Sequence, residues 1–109
     1  MNIRHIPSLM SFSPDKMQKN NVFETERFFC DVYCLQPGQM QKTHSHVSED
    51  KVYFIVAGAV TVIVGDEEQQ LGRGMAVLAP AGQPHGLRND SGTNASVLVF
   101  MAPAPRKVG

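Results

Sequence analysis

The sequence predicts an all-β protein, an antiparallel sandwich or barrel, and three observations carry that reading. Turn signals recur about every ten residues from Val22 onward: Pro37-Gly38, Gly58, Gly65-Asp66, Gly72-Arg73-Gly74, Pro80-Ala81-Gly82 and Asn89-Asp90-Ser91-Gly92. Nearly all the glycines and most of the prolines fall in those connections, and the short runs between them have strand composition. No window between Val22 and Pro103 sustains a 3.6-residue apolar period. At 109 residues one domain is expected, with its barrel core over about residues 22–103. With eight Phe and Tyr together and no Trp, that core must be mainly aliphatic.

Taken in order, the elements begin with Ser13-Pro14-Asp15, which sets a capping residue, a first-turn proline and a first-turn acid in series. This predicts a short N-terminal helix over about Pro14 to Asn20. The segment 1–21 is expected to pack on the barrel or on a second subunit. Cys30 and Cys34 lie four residues apart on a strand, which separates their Cα atoms by roughly 13 Å, too far for a disulfide with each other. They read as reduced, buried, small side chains. The run Val52 to Val64 reads as a hairpin whose two strands meet at Gly58, with apolar residues at both parities. A strand with one wet face should alternate, so both faces of this run need cover, and a homodimer is the expected source. The tail from Ala102 to Gly109 is proline-rich and is expected to fray.

Charge excludes some partners. Charged residues make up 18%, against the usual ~25%, and ten Lys+Arg balance ten Asp+Glu. A formal net charge of zero offers no basic field for nucleic acid. The longest apolar run, residues 52–64, is broken by Gly58 and Thr61 and falls short of the ~20 residues of a membrane span. The start of the sequence lacks an apolar segment of the secretory-signal kind, and a cytoplasmic location is expected.

Four histidines occur: His5, His44, His46 and His85. His44 and His46 are spaced i, i+2, so on a strand both leave the same face with Cα atoms about 6.5 Å apart. That separation lets two imidazoles grip one ion at ~2.1 Å per nitrogen, although a His-x-His pair alone is more often incidental. His85 follows the stiff turn Pro80-Ala81-Gly82-Gln83-Pro84, which hands the chain into another strand and can present a third imidazole across the barrel. Together the three are neutral ligands suited to one divalent transition metal, Fe, Mn, Ni, Zn or Cu. His5 lies outside these patterns and reads as a surface or packing residue.

These residues resemble the cupin family of small β-barrels. Its first motif has the form G-x5-H-x-H-x3,4-E-x6-G, and Gly38, His44, His46 and Gly58 match all of it except the Glu. Its second motif, G-x5-P-x-G-x2-H-x3-N, is matched by Gly74, Pro80, Gly82, His85 and Asn89. The resemblance implies an antiparallel double-stranded β-helix, the jelly-roll barrel, holding a divalent metal. Carried over position by position, its ligands are His44, His46 and His85. Independently of the family, Gly38, Gly58, Gly74 and Gly82 suit turns that need positive φ, and Asn89 reads as a turn former.

Seven residues before Gly58, where the motif expects its Glu ligand, stands Lys51. An ammonium about 5 Å from a 2+ ion would be repelled by ~6.6 kcal/mol, equivalent to ~5 pKa units. Several arrangements stay open. Lys51 is a solvated rim residue beside three histidines and water, or a neutral amine acting as base or ligand, or a cation holding an anionic group. Glu49 shares its strand parity and offers a substitute ligand or a counter-charge, and Asp50 fits the spacing after His46 but faces the other side. Tyr53 and Ile55 follow at the same parity and line the cavity beneath Lys51, with the Tyr53 hydroxyl either satisfied within the core or offered to a ligand.

Two function classes follow. The first is a small metal-dependent enzyme, dioxygenase-like or isomerase/decarboxylase-like, acting on a small polar or anionic metabolite. The second is a non-enzymatic module that holds a metal or small ligand as a sensor or binding protein, since fold does not decide function.

Overall fold

The computed structural model describes residues 1–104 as nine strands: β1 (Gln18–Glu24), β2 (Phe29–Leu35), β3 (Met40–His44), β4 (Asp50–Ala57), β5 (Ala59–Val64), β6 (Glu67–Gly72), β7 (Ala76–Ala79), β8 (His85–Arg88) and β9 (Ala95–Ala102). They form a five-stranded sheet, β1-β2-β9-β4-β7, facing a four-stranded sheet, β3-β8-β5-β6. Every pairing is antiparallel, as the strand rhythm predicts, and the two sheets enclose the jelly-roll barrel that the cupin resemblance implies. Alternation along each strand sends one parity inward. Leu35, Ile55, Val60, Val62, Leu71, Leu87, Ala95 and Val97 meet there in a largely aliphatic core.

Three expectations need correction. No helix forms over residues 14–20. Ser13 Oγ accepts the Asp15 amide at 3.2 Å, but the turn it closes does not propagate, because Gln18–Glu24 instead pairs with β2 and buries Val22. Tertiary pairing overrides the local cap. The described helical structure is one 3-10 turn, Ile6–Leu9, with Pro7 in its first turn.

The run 52–64 is not a hairpin. β4 pairs with β9 and β7, β5 pairs with β6 and β8, and the chain changes sheet at Gly58. Gly58 has φ 74°, and a Cβ there would come within 2.5 Å of the Asn94 carbonyl oxygen, so no other residue fits without moving the loop. Gly38, Gly74 and Gly82 also have positive φ.

The third correction concerns which apolar surface lacks cover. β5 buries Val60, Thr61 and Val62, whereas β4 alternates cleanly, with Lys51, Tyr53 and Ile55 inward and Phe54 outward. The outer face of the larger sheet therefore divides in two. Over β1 and β2 it is covered by the N-terminal segment, whose Ile6, Leu9, Met10 and Phe12 pack on Val22, Val32 and Cys34. Over β4, β7 and β9 it leaves Phe54, Leu78 and Phe100 exposed.

Both cysteines are free thiols. Of the tail, Ala104 donates its amide to the Arg27 carbonyl, and residues 105–109 lie outside the described residues, so the fraying expected there is not addressed. Among the described residues no helix is long and apolar enough to cross a membrane.

Candidate metal centre

His44 ends β3 and His85 begins β8, and the two are directly opposite in the ladder. Their ring centroids lie 4.6 Å apart. A register irregularity between Gln41 and His44 turns the end of β3 toward the interior. The close approach of β3 and β8 depends on Gly86, where a Cβ would meet the Gln41 carbonyl oxygen at 2.9 Å. His46 is placed differently from the strand position expected for it. It lies beyond the end of β3 in the connection to β4, where its carbonyl accepts the Gly82 amide at 2.7 Å. Its ring still meets the others, at 4.8 Å from His44 and 5.4 Å from His85. One nitrogen from each of the three lies within 4.8 Å of the others.

Backbone carbonyls orient two of the rings. Nδ1 of His44 is 2.8 Å from the Lys42 carbonyl and Nδ1 of His85 is 3.1 Å from that of Gln83. A carbonyl only accepts, so each Nδ1 carries the proton and each Nε2 keeps a free lone pair. His85 is 1% exposed, and its Nε2 is buried without a partner. An imidazole nitrogen left bare in a protein interior is costly unless something outside the chain binds it. Burial first, opposed by the Gln83 carbonyl and reinforced by the Lys51 charge, lowers the His85 pKa to about 4. Burial and then the neighbouring His44 lower that of His46. Both rings are thus held neutral near pH 7, the state in which imidazole ligates a metal. These donors fit a transition metal ion.

The acids offered as substitutes for the motif's Glu do not join this group. Glu49 Oε2 lies 3.9 Å from His46 Nδ1 and accepts the Ser48 amide, which sets it behind one imidazole as an orienting charge. Asp50 is exposed and accepts the Ala81 amide at 2.9 Å, fastening the turn that leads to His85. His5 is distant in role as well as sequence, pairing with Ser8 Oγ at 2.7 Å in the N-terminal turn.

Lys51 is not a solvated rim residue. It is 1% exposed, with Nζ 5.2 Å from the Tyr53 ring centroid and 5.3 Å from that of Tyr33. Its parity on β4 forces it inward, and the two aromatic faces partly replace lost hydration. Burial, followed by repulsion from Lys19, lowers its pKa to about 7, so near neutrality it is balanced between ammonium and amine.

Tyr53 donates its hydroxyl proton to Gln41 Oε1 at 2.8 Å, and Gln41 Nε2 donates to the Tyr33 hydroxyl at 3.3 Å. All three are buried. The Tyr53 proton is therefore spent inside the core, while that of Tyr33 has no acceptor among the described residues. Sequence reasoning missed Gln41 and Tyr33. Their one available signal was inward parity, shared with the core residues around them.

Asn89 is fully buried. Its Nδ2 donates to the carbonyls of Leu35 and Thr93, and its Oδ1 accepts from Ser91, so it organises a loop and does not face the histidines.

Residues 31–101 match the family model for the cupin domain. An uncharacterized protein of Streptomyces coelicolor is 35% identical over 72 residues, covering 66% of this chain and 68% of its own. The crystal structure of TT1209 from Thermus thermophilus is 50% identical, with TM-score 0.94 over 96% of this chain and 100% of that one. An RmlC-like cupin protein from Desulfovibrio desulfuricans superposes with TM-score 0.85 at 26% identity, over 96% and 99% of the two chains. The matched segment runs from the Asp31 of β2 to the Met101 of β9 and takes in both histidine motifs, and on that extent the chain belongs to the cupin family.

Proposed function

We propose that His44, His46 and His85 hold one divalent transition metal ion and that the barrel interior beside it takes a small polar or anionic metabolite. The observation that carries this reading is the buried, unpartnered Nε2 of His85 among two other imidazoles. Such an ion, chosen from Fe, Mn, Ni, Zn or Cu, would supply Lewis-acid polarisation and open coordination positions. The chain's own contribution is to keep His46 and His85 neutral and to aim the His44 and His85 rings through backbone carbonyls. It also places a lysine of pKa about 7 and the Tyr33 hydroxyl where a bound molecule can exchange a proton or find a counter-charge.

An enzyme of dioxygenase-like or isomerase/decarboxylase-like type fits these groups. Replacement of the motif's anionic ligand by Lys51 favours a second reading, a module that binds a ligand without turnover. Oxygen consumption across a panel of small acids and diketones with Fe(II) restored separates the two. Oxygen uptake with any member of the panel establishes an oxygenase, conversion without uptake an isomerase or decarboxylase, and stoichiometric binding without uptake or conversion points to the module.

Protein purified without added metal is expected to contain close to one equivalent of a first-row divalent ion. Elemental analysis finding none, together with no rise in Tm on adding Fe, Mn, Ni or Zn, would remove the metal reading.

We also propose that the chain forms a homodimer through Phe54, Leu78 and Phe100 on the outer face of β4, β7 and β9. Phe28 lies 5.1 Å from Phe100 and extends the apolar surface. Sedimentation at micromolar concentration is expected to give twice the 12.0 kDa chain mass, and a 12.0 kDa species would refute the dimer.

A further inference from the structure

The wall of the barrel formed by β1, β2, β9 and β4 sets two lysines, Lys51 and Lys19, against a single carboxylate, Asp31. Lys51 enters it from β4, buried between Tyr33 and Tyr53. Lys19 lies exposed on the edge strand β1, directly opposite Tyr33 in the ladder, with Nζ 5.5 Å from the same Tyr33 ring. Among the described residues neither lysine has an acid within 4.0 Å. Asp31, on the inward parity of β2, is the nearest candidate. Its carboxylate accepts from Asn21 Nδ2 at 3.1 Å, and burial raises its pKa against the opposing pull of the Asn21 hydrogen bond and the Lys19 and Lys51 charges, so it serves as one shared, longer-range counter-charge to the two lysines. The Tyr33 hydroxyl adds a donor whose proton is unspent, because the bond it makes is one it accepts from Gln41.

This wall looks toward the histidines. The Tyr53 ring lies 6.2 Å from that of His85, and the Lys51 charge is felt at both His46 and His85. Beside Lys19, a cleft of about 480 Å³ lies between the edge strands β1 and β3, lined by Lys16, Met17, Gln18, Lys19 and Met40. Two ammonium groups gathered with a hydroxyl around the one Tyr33 ring, with a single carboxylate to balance them and no ion pair within 4.0 Å, match one further negatively charged group.

We propose that Lys51, Lys19 and Tyr33 form an anion subsite that takes the carboxylate or phosphate of a small metabolite whose remaining atoms face the three histidines. This rests on the reading of the interior as a ligand site, but it does not need a metal to be bound. A monoanionic or dianionic organic acid, or a phosphorylated metabolite of similar size, is the class of ligand the wall selects. Arginine-like bidentate recognition is absent from it, so charge and size discriminate here more than planar geometry.

The test is a titration of the full chain, as purified and again after chelator treatment, with sodium phosphate or sodium malonate against chloride at constant ionic strength near pH 7. Saturable binding by calorimetry, with a matching rise in Tm, is expected for at least one anion under both conditions. The anion that binds more tightly distinguishes the phosphate from the carboxylate source. Lys51→Met is expected to weaken binding by tenfold or more, and Lys19→Gln and Tyr33→Phe each by about threefold to tenfold, as for loss of one charge-assisted hydrogen bond. His85→Ala is expected to retain anion binding while losing metal, which separates failure of the metal reading from failure of this one. Should Lys51→Met not fold, the exposed Lys19→Gln and the near-isosteric Tyr33→Phe decide the matter. The subsite is overturned if neither anion binds saturably, or if those variants bind as the unmodified chain does.

Discussion

The two ends of the barrel interior are built by the same strands and behave differently. Along β4, Ile55 points into a region of Leu35, Val60, Val62, Leu71, Leu87 and Val97, where the inward side chains are aliphatic and buried. Two and four residues earlier on the same face, Tyr53 and Lys51 point among Gln41, Tyr33 and the histidines. The aliphatic end has nothing left to bond. The polar end retains Nε2 of His85, the Lys51 amine and the Tyr33 proton without partners among the described residues. Stability is concentrated at one end and binding capacity at the other, because dispersion and burial reward complete filling while recognition needs groups left unpaired.

Crossed substitutions break or sharpen that contrast. Ile55→Ala should destabilise the fold by about 2–5 kcal/mol through lost burial and a residual cavity, with metal affinity per folded molecule preserved. His85→Ala should do the reverse, lowering metal affinity by more than ~100-fold, or about 2.7 kcal/mol, while metal-free stability falls much less. Denaturant unfolding of chelated protein and metal titration of the folded protein measure the two axes. If Ile55→Ala abolishes metal binding without unfolding, the ends are coupled and the contrast fails.

Tyr53→Phe tests the boundary between them. It removes the donor to buried Gln41 Oε1 and should cost about 1–3 kcal/mol, the penalty of an unsatisfied buried acceptor. A cost near zero would mean that Gln41 has found another donor.

The subtlest effect is a pH dependence. Lys51 is depressed from 10.5 to about 7, by burial and then by Lys19, partly offset by Asp31. Between those values the unfolded chain binds more protons at this residue than the folded chain does, so its contribution to stability improves as pH rises. Below pH 7 the full cost of burying the ammonium is present. Relative to Lys51→Met, the unmodified chain should therefore gain stability from about pH 7 to 9, by up to ~1.4 kcal/mol per pH unit. Parallel stability profiles for the two proteins would place the amine in a more polar environment than its 1% exposure implies.

The outer face of the larger sheet repeats the lesson on the surface. One half is closed by Ile6, Leu9, Met10 and Phe12 of the same chain, and the other presents Phe54, Leu78 and Phe100. The sequence pointed to uncovered apolar surface in residues 52–64, but it assigned that surface to both strands of a hairpin. Once β4 and β5 part at Gly58, β4 is the one that contributes to it.

What could be read from the sequence alone was whatever short-range geometry dictates. The turn rhythm, the glycines at positive φ and the i, i+2 spacing of His44 and His46 are local facts and suffice for an all-β barrel, whereas the joining of His85 to that pair was legible through the resemblance of the two motifs to the cupin pattern. The strand formed by Gln18–Glu24 was hidden because its local signal favours a capped helix, and only pairing with β2 reverses the preference. The tertiary structure alone decided that Lys51 points inward, that the Tyr53 proton goes to Gln41 twelve residues away, and that Asn89 ties its loop to Leu35 across 54 residues. Those outcomes depend on how the sheets close on one another, and closure is set by the summed burial of the whole chain, which no single stretch of sequence encodes.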